Sequence, residues 1–303
     1  MQYNYHFTPY KGWINDPNGL VYQDGVFHLY FQYNPKSPKW DQICWGHASS
    51  SDLYHWEMHG TVMEPDEHGM MFSGSAIAQG EDIYYFYTAA KPGHFTQRMA
   101  VSHDHGFTLE KDNAFEIAPI CAENRDPKIF FHKESDAYII CLWLEENDFA
   151  ILRGTKLDGP YEMTQRFTLP GGFECPNLFC CDGIWFVWTA DGFYYPGTFD
   201  GFQFIWNGQK REAYADKIPY AAQIFSGTDE IIMIPWLRTP TVEETWTGTM
   251  GIPRILHTLQ KGQEIYLTQT AAYMPDAAEI VDGNIVERMN DDRTVLSVTV
   301  LPQ

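Results

Sequence analysis

The stretch Trp13-Ile14-Asn15-Asp16-Pro17-Asn18-Gly19 places a carboxylate, two amides, a proline and a glycine close to the N-terminus. Proline cannot donate to a β-sheet ladder, and Asn-Gly is a strong turn signal. The pattern therefore predicts a short strand that carries Asp16 and then turns sharply. Because Asp and Asn are ordinary turn residues, the stretch taken alone favours a plain hairpin. The rest of the chain changes this interpretation, because it repeats the arrangement.

Five apolar and aromatic runs, each preceded by a turn signal, are typical of β-strands. Their starts are 56, 55, 46 and 46 residues apart, and the runs are Phe27–Tyr33, Ile83–Thr88, Tyr138–Leu144, Ile184–Trp188 and Glu230–Trp236. A strand-built period of about fifty residues is typical of a β-propeller, with roughly four strands in each blade. Helical periodicity is scarce, which disfavours α/β folds. The sequence thus predicts an all-β fold, a five-bladed β-propeller.

Composition narrows the function classes. The formal net charge of −20 disfavours nucleic acid as a partner, because an acidic chain repels phosphate backbones. Aromatic residues make up 16% of the chain, and such side chains suit both strands and carbohydrate sites. No signal-peptide pattern and no apolar run of membrane-spanning length occurs, so we expect a cytoplasmic protein with no membrane partner. The six cysteines fit no zinc spacing, and most are expected to be free buried thiols.

Polar residues recur about ten positions before each strand-like run. The segments are Asn15-Asp16-Pro17, Phe72-Ser73-Gly74-Ser75, Arg125-Asp126-Pro127, Glu174-Cys175-Pro176-Asn177 and Tyr220-Ala221-Ala222-Gln223. The first strand of a propeller blade commonly lines the central channel, so Asp16, Asp126 and Glu174 are expected to meet in one pocket. The alternative is that these acids cap strands or form salt bridges between blades. That alternative explains one carboxylate easily and three in matching register much less well.

The ordered motifs resemble the N-terminal catalytic domain of glycoside hydrolase family 32, the invertase, fructanase and sucrose-6-phosphate hydrolase family. Besides the five polar segments and Trp13–Gly19, the resemblance includes Phe31-Gln-Tyr-Asn-Pro35, Trp45-Gly-His47, Tyr54-His-Trp56 and Gly251-Ile-Pro-Arg254. It extends from about residue 6 to about residue 268. It implies a retaining β-fructofuranosidase, a glycoside hydrolase acting by double displacement on sucrose, sucrose 6-phosphate or short fructo-oligosaccharides.

By this resemblance Asp16 is the nucleophile, Glu174 the acid/base, and Asp126 the residue that holds sugar hydroxyls while paired with Arg125. Two carboxyl groups suffice for this reaction, so we expect no cofactor and no metal. If the mechanism is retaining, the Asp16 and Glu174 carboxyls should lie roughly 5–5.5 Å apart. The expected substrate contacts, which include apolar walls, amides and a hydroxyl, are Asn15, Gln32, Trp40, Phe72, Ser73, Arg125 and Trp236. Core packing between blades competes with substrate contact for Trp40 and Trp236, while Trp45, His47 and Trp56 are assigned to structure.

Two departures from the family pattern bear on these expectations. Asn177 stands where an Asp usually follows Glu-Cys-Pro, which removes one carboxylate near Glu174. Family members also carry a C-terminal β-sandwich, whereas only a short segment follows the last matching strand here. We therefore predict a propeller catalytic domain over residues 1–270 and a C-terminal tail over residues 271–303, packed on the propeller, with Asn284–Val300 forming one hairpin and no sandwich.

Three alternatives use the same resemblance. One is a fructosyltransferase, in which a sugar replaces water as acceptor. A second is a hydrolase of another furanoside, and a third is a fructan-binding propeller with weakened catalysis. A phosphorylated substrate would need basic side chains near the rim, for which Lys36, Lys39, Lys91 and Arg98 are candidates. A small carbohydrate is the expected partner, and self-association into a homo-oligomer is left open.

Overall fold

The computed structural model describes residues 3–302, and nearly all of its regular structure is β-strand. Four antiparallel strands form each of the first three sheets. The first sheet contains β1 (Gly12–Gln23), β2 (Val26–Asn34), β3 (Cys44–Ser50) and β4 (Glu57–Met63). The second contains β5 (Met70–Gln79), β6 (Asp82–Lys91), β7 (His94–Ser102) and β8 (Glu110–Ile117). The third contains β9 (Arg125–His132), β10 (Ala137–Glu145), β11 (Asp148–Gly154) and β12 (Glu162–Thr168), with a 3-10 turn over Lys133–Ser135.

The fourth and fifth sheets repeat this plan with short additions. The fourth contains β13 (Asn177–Cys181), β14 (Ile184–Trp188), β15 (Phe193–Phe199) and β16 (Phe204–Trp206), and β17 (Arg211–Glu212) also pairs with β15. The fifth contains β18 (Pro219–Ile224), β19 (Ile231–Leu237), β22 (Arg254–Lys261) and β23 (Glu264–Ala271), and β21 (Thr249–Met250) pairs with β19. The short strand β20 (Trp246–Thr247) lies between β19 and β21 in sequence. It pairs in parallel with β1 and therefore extends the first sheet.

The chain ends in a three-stranded antiparallel sheet made of β24 (Glu279–Asp282), β25 (Ile285–Met289) and β26 (Leu296–Val300). The prediction of a five-bladed propeller is therefore wrong: the described residues form six sheets, a six-bladed β-propeller. The strands β25 and β26 pair where the sequence predicts a hairpin, but β24 adds a third strand that was not expected. The apolar faces of this sheet join one hydrophobic cluster with Leu256 and Leu267 of the fifth sheet.

The predicted strand-like runs occupy the second strand of each of the first five sheets. The first strands β1, β5, β9, β13 and β18 face one another across a narrow channel. Pro17 of β1 and Gln223 of β18 are among the residues that line it. Aromatic and aliphatic side chains fill the spaces between sheets, with Trp45, Trp143 and Trp188 fully buried. This arrangement brings the polar starts of the first strands to one end of the channel. Within residues 3–302 no helix is long and apolar enough to cross a membrane.

Candidate active site

The first strands of four sheets carry β-bulges at matching positions. Ladder pairing skips Asn15 and Asp16 in β1, Phe72 and Ser73 in β5, Asp126 and Pro127 in β9, and Ala221 and Ala222 in β18. A bulge leaves residues outside the ladder and redirects their side chains. Pro17 and Pro127 favour these bulges because neither has an N–H to donate. The bulged residues therefore point toward the channel mouth instead of alternating between sheet faces.

Four residues in or just before the first strands of the third, fourth and fifth sheets have a left-handed backbone. The φ angles are 65° at Asp126, 48° at Glu174, 41° at Cys175 and 46° at Ala221. Such angles are uncommon for residues other than glycine and cost about 1–3 kcal/mol each. Backbone strain of this kind clusters at functional sites, and two of these residues, Asp126 and Glu174, line the cavity described next.

The channel opens into a cavity of about 460 Å³. Its lining combines carboxylates, amides and aromatic walls from all five long sheets: Trp13, Asn15, Asp16, Gln32, Trp40, Phe72, Phe95, Glu123, Arg125, Asp126, Glu174, Tyr220 and Trp236. The three acids that are distant in sequence thus meet at one place. A concave site of this size with a few convergent polar groups is the usual form of a small-molecule site.

Asp16 is buried and held by neutral donors. Ser73 Oγ donates to its Oδ2 at 2.7 Å, Gln32 Nε2 donates to the same oxygen at 3.2 Å, and Asn15 Nδ2 donates to Oδ1 at 3.1 Å. Trp13 Nε1 in turn donates to Asn15 Oδ1 at 2.8 Å, which fixes the orientation of the amide. Burial raises the pKa of Asp16. The hydrogen bonds donated by Ser73 and Asn15 lower it, but the effect of burial is larger. The hydrogen bonds hold the carboxyl in one orientation toward the cavity.

Glu174 has a different environment, because its carboxyl is held by two charged or strongly polar groups. Arg125 Nη2 donates to Oε1 at 2.5 Å, and the Tyr220 hydroxyl donates to Oε2 at 2.6 Å. The guanidinium of Arg125 also lies over the Trp143 ring, 4.1 Å from its centroid, which restricts its motion. Glu174 is therefore positioned from the third sheet on one side and from the fifth sheet on the other.

Asp126 lies between the other two acids and accepts from the backbone N–H of Cys175 at 3.1 Å. The Cys175 thiol is 3.5 Å from Asp126 Oδ2 and 3.6 Å from Asp16 Oδ2, so one sulfur contacts both carboxyls. Burial raises the pKa of Asp126, Arg125 lowers it, and the charges of Glu174 and Asp16 raise it further. Burial and the same carboxylates raise the pKa of the Cys175 thiol. The charge on each of these acids therefore affects the pKa values of its neighbours in the cavity.

One expectation about contacts near Glu174 is wrong. The guanidinium of Arg125 bonds Glu174 and Glu123 rather than Asp126, which lies in the bulge of β9, although burial raises the pKa of Asp126 and the charge of Arg125 still lowers it. Asn177 does not contact Glu174: its amide donates to the Ala222 carbonyl at 2.9 Å and accepts from the Ile224 N–H at 3.1 Å. Asn177 therefore links the fourth and fifth sheets.

The other predicted contacts divide between the cavity wall and its floor. Asn15, Gln32, Trp40, Phe72, Arg125 and Trp236 line the cavity. Trp40 is 48% exposed and meets Phe72 edge to face at 6.0 Å, as expected of a rim residue. Ser73 lies below, where its hydroxyl bonds Asp16. Trp45 is fully buried and His47 stacks on Tyr30, which agrees with their structural assignment.

Four lining residues were not among the predicted site residues. Tyr220 and Trp13 stood within motifs already singled out, so their repeat positions could have identified them. Phe95 comes from the β6–β7 hairpin and Glu123 from the loop before β9, where no repeat marks them. Only the closure of the propeller places these two beside the acids.

Comparison with known proteins agrees with this geometry. Residues 6–270 match the family model described as the glycosyl hydrolases family 32 N-terminal domain. The chain belongs to glycosyl hydrolase family 32. An invertase of Debaryomyces hansenii is 33% identical and covers 82% of this chain, and a levanase of Bacillus subtilis is 34% identical over 58% of it. This family 32 chain spans 55% of the length of the first relative and 28% of the second.

Solved structures agree in fold. A fructofuranosidase from Schwanniomyces occidentalis, complexed with fructose, superposes with a TM-score of 0.80 at 28% identity. The match covers 94% of this chain and 65% of that one. An exo-inulinase from Aspergillus awamori gives a TM-score of 0.79 at 27% identity, covering 89% of this chain and 66% of that one. The family 32 assignment thus extends to the arrangement of the sheets.

Proposed function

We propose that this chain hydrolyses β-D-fructofuranosides, such as sucrose or short fructo-oligosaccharides, with retention of configuration. The observation that carries the proposal is the pair of carboxyls from Asp16 and Glu174, which line one cavity in contrasting environments. The names of the related invertase, levanase and inulinase support a fructoside as substrate. Asp126 and the aromatic walls would hold the fructosyl group between the two acids.

In the first step, Asp16 Oδ attacks the anomeric carbon of the fructosyl group, and the glycosidic C–O bond breaks. Glu174 gives its proton to the departing oxygen, so the leaving sugar departs neutral and a fructosyl ester of Asp16 remains. In the second step, Glu174 takes a proton from water, whose oxygen attacks the same carbon and releases Asp16. Two inversions give net retention.

The hydrogen bonds of the site match this division of roles. Three neutral donors hold Asp16 without placing a cation against it, which preserves its nucleophilicity. Arg125 and Tyr220 orient Glu174, the group that must exchange a proton twice. Asp126, fixed by the Cys175 N–H, is placed to accept sugar hydroxyls and to stabilise the positive charge that develops on the ring.

Fructose release from sucrose, 1-kestose and inulin tests the proposal. Glu174→Gln should lower the rate by about 10²–10⁴-fold, the usual contribution of general acid–base catalysis, and Asp16→Asn should abolish turnover. Asp136→Asn is the matched control, because Asp136 lies in the turn at the opposite end of β9 and also has a positive φ. NMR of the first-formed product should show the β-anomer. Wild-type rates in both site variants, or an inverted product, would contradict the mechanism.

A further inference from the structure

Arg238 follows the last residue of β19 and lies at the mouth of the cavity. Its guanidinium carbon is 3.6 Å from the centroid of the Tyr220 ring and 5.8 Å from that of the Trp236 ring. Both rings line the cavity, and they meet edge to face at 6.3 Å. Arg238 itself is exposed. Stacking on Tyr220 therefore holds a cation at the rim, on the side of the fifth sheet.

The guanidinium of Arg238 keeps most of its donors free. Stacking uses the face of the group, while its N–H groups point outward in the plane. One of them donates to the Lys217 carbonyl at 3.3 Å. Among the ion pairs of residues 3–302, none involves Arg238. By contrast, Arg125 in the same cavity is already bonded to Glu174 and Glu123.

The position of Arg238 relative to Glu174 assigns it to one side of the scissile bond. Only two contacts separate the groups: the guanidinium stacks on Tyr220, and the Tyr220 hydroxyl bonds Glu174. Glu174 delivers its proton to the departing oxygen, so groups beside it at the mouth face the leaving sugar. Asp191 is exposed near the same place, where the charges of Arg238, Glu174, Lys217 and Lys210 all act on its carboxyl.

We infer that Arg238 binds the leaving glycosyl group through its hydroxyls and that the site selects an uncharged leaving group. This inference rests on the proposed function. The preference for an uncharged group follows from the surroundings, because Asp16, Glu123, Asp126 and Glu174 all line the cavity. The cations that act on Asp191, namely Arg238, Lys217 and Lys210, are not among the lining residues, whereas the lining holds four carboxylates and the guanidinium of Arg125. A phosphate dianion that enters the cavity therefore meets net negative charge.

The side chains suggested by sequence for holding a phosphate lack the contacts that Arg238 makes with the cavity wall. Lys36, Lys39 and Lys91 are exposed, and in residues 3–302 no cation–π contact or ion pair joins any of them to a lining residue. Arg98 is buried and occupied, since it bonds Glu116 Oε2 at 2.5 Å and His68 Nε2 at 2.8 Å. Arg238 is thus the cation that is held against the aromatic wall of the cavity, on Tyr220 and Trp236.

The test compares three fructosides that share the fructosyl group and differ in the leaving group: sucrose, sucrose 6-phosphate and methyl β-D-fructofuranoside. Arg238→Gln should lower kcat/KM for sucrose on the order of 10-fold, the effect of losing hydrogen bonds from a charged donor. It should leave kcat/KM for the methyl fructoside unchanged, because methanol has no further hydroxyl to bind. Arg238→Lys should give an intermediate value for sucrose. The wild-type protein should prefer sucrose to its 6-phosphate.

Arg153→Gln is the matched control, because Arg153 stacks on Phe202 at 4.5 Å and bonds the Ser135 carbonyl near the opposite end of the third sheet. Arg153→Gln should leave kcat/KM unchanged for both sucrose and the methyl fructoside. Melting curves establish that each variant is folded. Equal losses on sucrose and methyl fructoside, or no loss on either, would overturn the assignment of Arg238. If the wild-type protein prefers sucrose 6-phosphate and Arg238→Gln removes that preference, the inference that the site selects an uncharged leaving group is overturned. Absence of fructose from all three substrates would overturn the proposed function as well.

Discussion

At the residue scale, the site separates two carboxyls by the groups that touch them. Asp16 accepts from a hydroxyl and two amides, whereas Glu174 accepts from a guanidinium and a phenol. A nucleophile benefits from weak neutral donors, while an acid/base must return to one position after each proton transfer. The division of roles thus follows from local contacts rather than from the residue types.

Tyr220→Phe tests the positioning of Glu174. The change removes the 2.6 Å hydrogen bond to Oε2 and keeps the ring on which Arg238 stacks. We expect kcat for sucrose to fall by roughly 10- to 100-fold, because a hydrogen bond to a charged group is worth about 1.5–3 kcal/mol, and KM to change little. Steady-state kinetics with the variant measure this. A fall in kcat/KM caused by KM alone would instead place Tyr220 in substrate binding.

Lys128 is a second informative residue, because its ammonium is buried in the channel below the cavity. It donates to the Ile224 carbonyl at 2.5 Å, and the titratable groups that share the channel lining are Asp126 and Cys175. Burial lowers the pKa of Lys128 to about 7. An unfolded lysine has a pKa of about 10.4, so between these values the unfolded chain binds more protons. Its contribution to the free energy of unfolding therefore rises as pH increases from about 7 to about 10.

Lys128→Met should remove that dependence. Urea unfolding at pH 7, 8 and 9 would be compared between the wild-type protein and the variant. As pH rises, the unfolding free energy of the wild-type protein should increase relative to that of Lys128→Met. The increase should be up to about 1.4 kcal/mol per pH unit, which is the linkage slope for one proton. Because other titrating groups occur in both proteins, they cancel in the difference. A difference that stays constant with pH would show that Lys128 remains charged in the folded state.

At the element scale, the recurring bulge explains how a sheet edge becomes a site. A regular strand sends alternate residues to opposite faces, so adjacent polar residues could not all face the channel. The bulges at Asp16, Ser73 and Asp126 break that alternation at equal depth on three sheets. Proline after Asp16 and after Asp126 makes the break local, because it removes the ladder donor at that point. The sequence signal for the site is thus an acid followed within two positions by proline, which occurs at Asp16, Asp126 and Glu174.

The C-terminal sheet is the other element with a testable role. Deleting residues 284–303 removes β25 and β26 and exposes apolar side chains of the cluster that they share with Leu256 and Leu267. The loss of Ile285, Met289, Leu296 and Val298 from the core should lower Tm by about 5 °C or more. Deleting only residues 302–303 is the control and should leave Tm unchanged. Since the cavity lining comes from the first five sheets, fructose release below the melting temperature should persist.

At the scale of the whole molecule, a buried ionic network joins the first residues to the last sheet. His6 bonds Asp282 Oδ2 at 2.9 Å and Glu287 Oε1 at 3.1 Å, and Glu287 also bonds Arg254. The backbone N–H groups of Asn4, Tyr5 and His6 donate to the Asp282 carboxylate as well. The N-terminal segment thereby fastens the C-terminal sheet to the molecule.

This network predicts that the free energy of unfolding is largest at an intermediate pH. Burial opposes the charge on His6, but the hydrogen bonds that His6 donates to both carboxylates, together with their charges, outweigh it and raise the pKa of His6. Burial likewise opposes charge on the acids, but His6 with backbone donors holds the pKa of Asp282 at about 2, and Arg254 with His6 holds that of Glu287 at about 2. The contribution of His6 is present below about pH 6.5 and lost at higher pH, whereas that of the acids is present above about pH 4 and lost toward pH 2.

Unfolding free energies measured from pH 4 to pH 9 check this expectation. The wild-type protein should lose stability relative to His6→Gln as pH rises from 6.5, because only the wild-type protein carries the imidazolium in the network. His94→Gln serves as control, because His94 is exposed and forms none of the ion pairs seen in residues 3–302. Parallel curves for the wild-type protein and His6→Gln would exclude a charged His6 in the folded state.

The sequence was sufficient for the all-β class, for five of the sheets and for the acids that meet in the cavity. It predicted the hairpin of β25 and β26 but missed that this hairpin belongs to a sixth sheet, even though Asp282-Gly283 precedes Ile285 by the usual turn spacing and Ile285 follows Ile231 by nearly one period. Glu287 and Arg288 interrupt the apolar residues of Ile285–Met289, so the segment lacks the continuous apolar run of the other second strands. A strand with one exposed face gives a weaker signal than one buried on both sides.

By itself, the sequence determined which residues repeat with the blade period, because turn residues, bulge prolines and buried aromatic runs act locally. The tertiary structure alone decided which groups touch: that Arg125 bonds Glu174 instead of Asp126, that Asn177 links two sheets, and that Arg238 stands at the cavity mouth. Such contacts join residues that are dozens of positions apart. Their distances depend on the closure of the sheets around the channel, and no local pattern of residues encodes that closure.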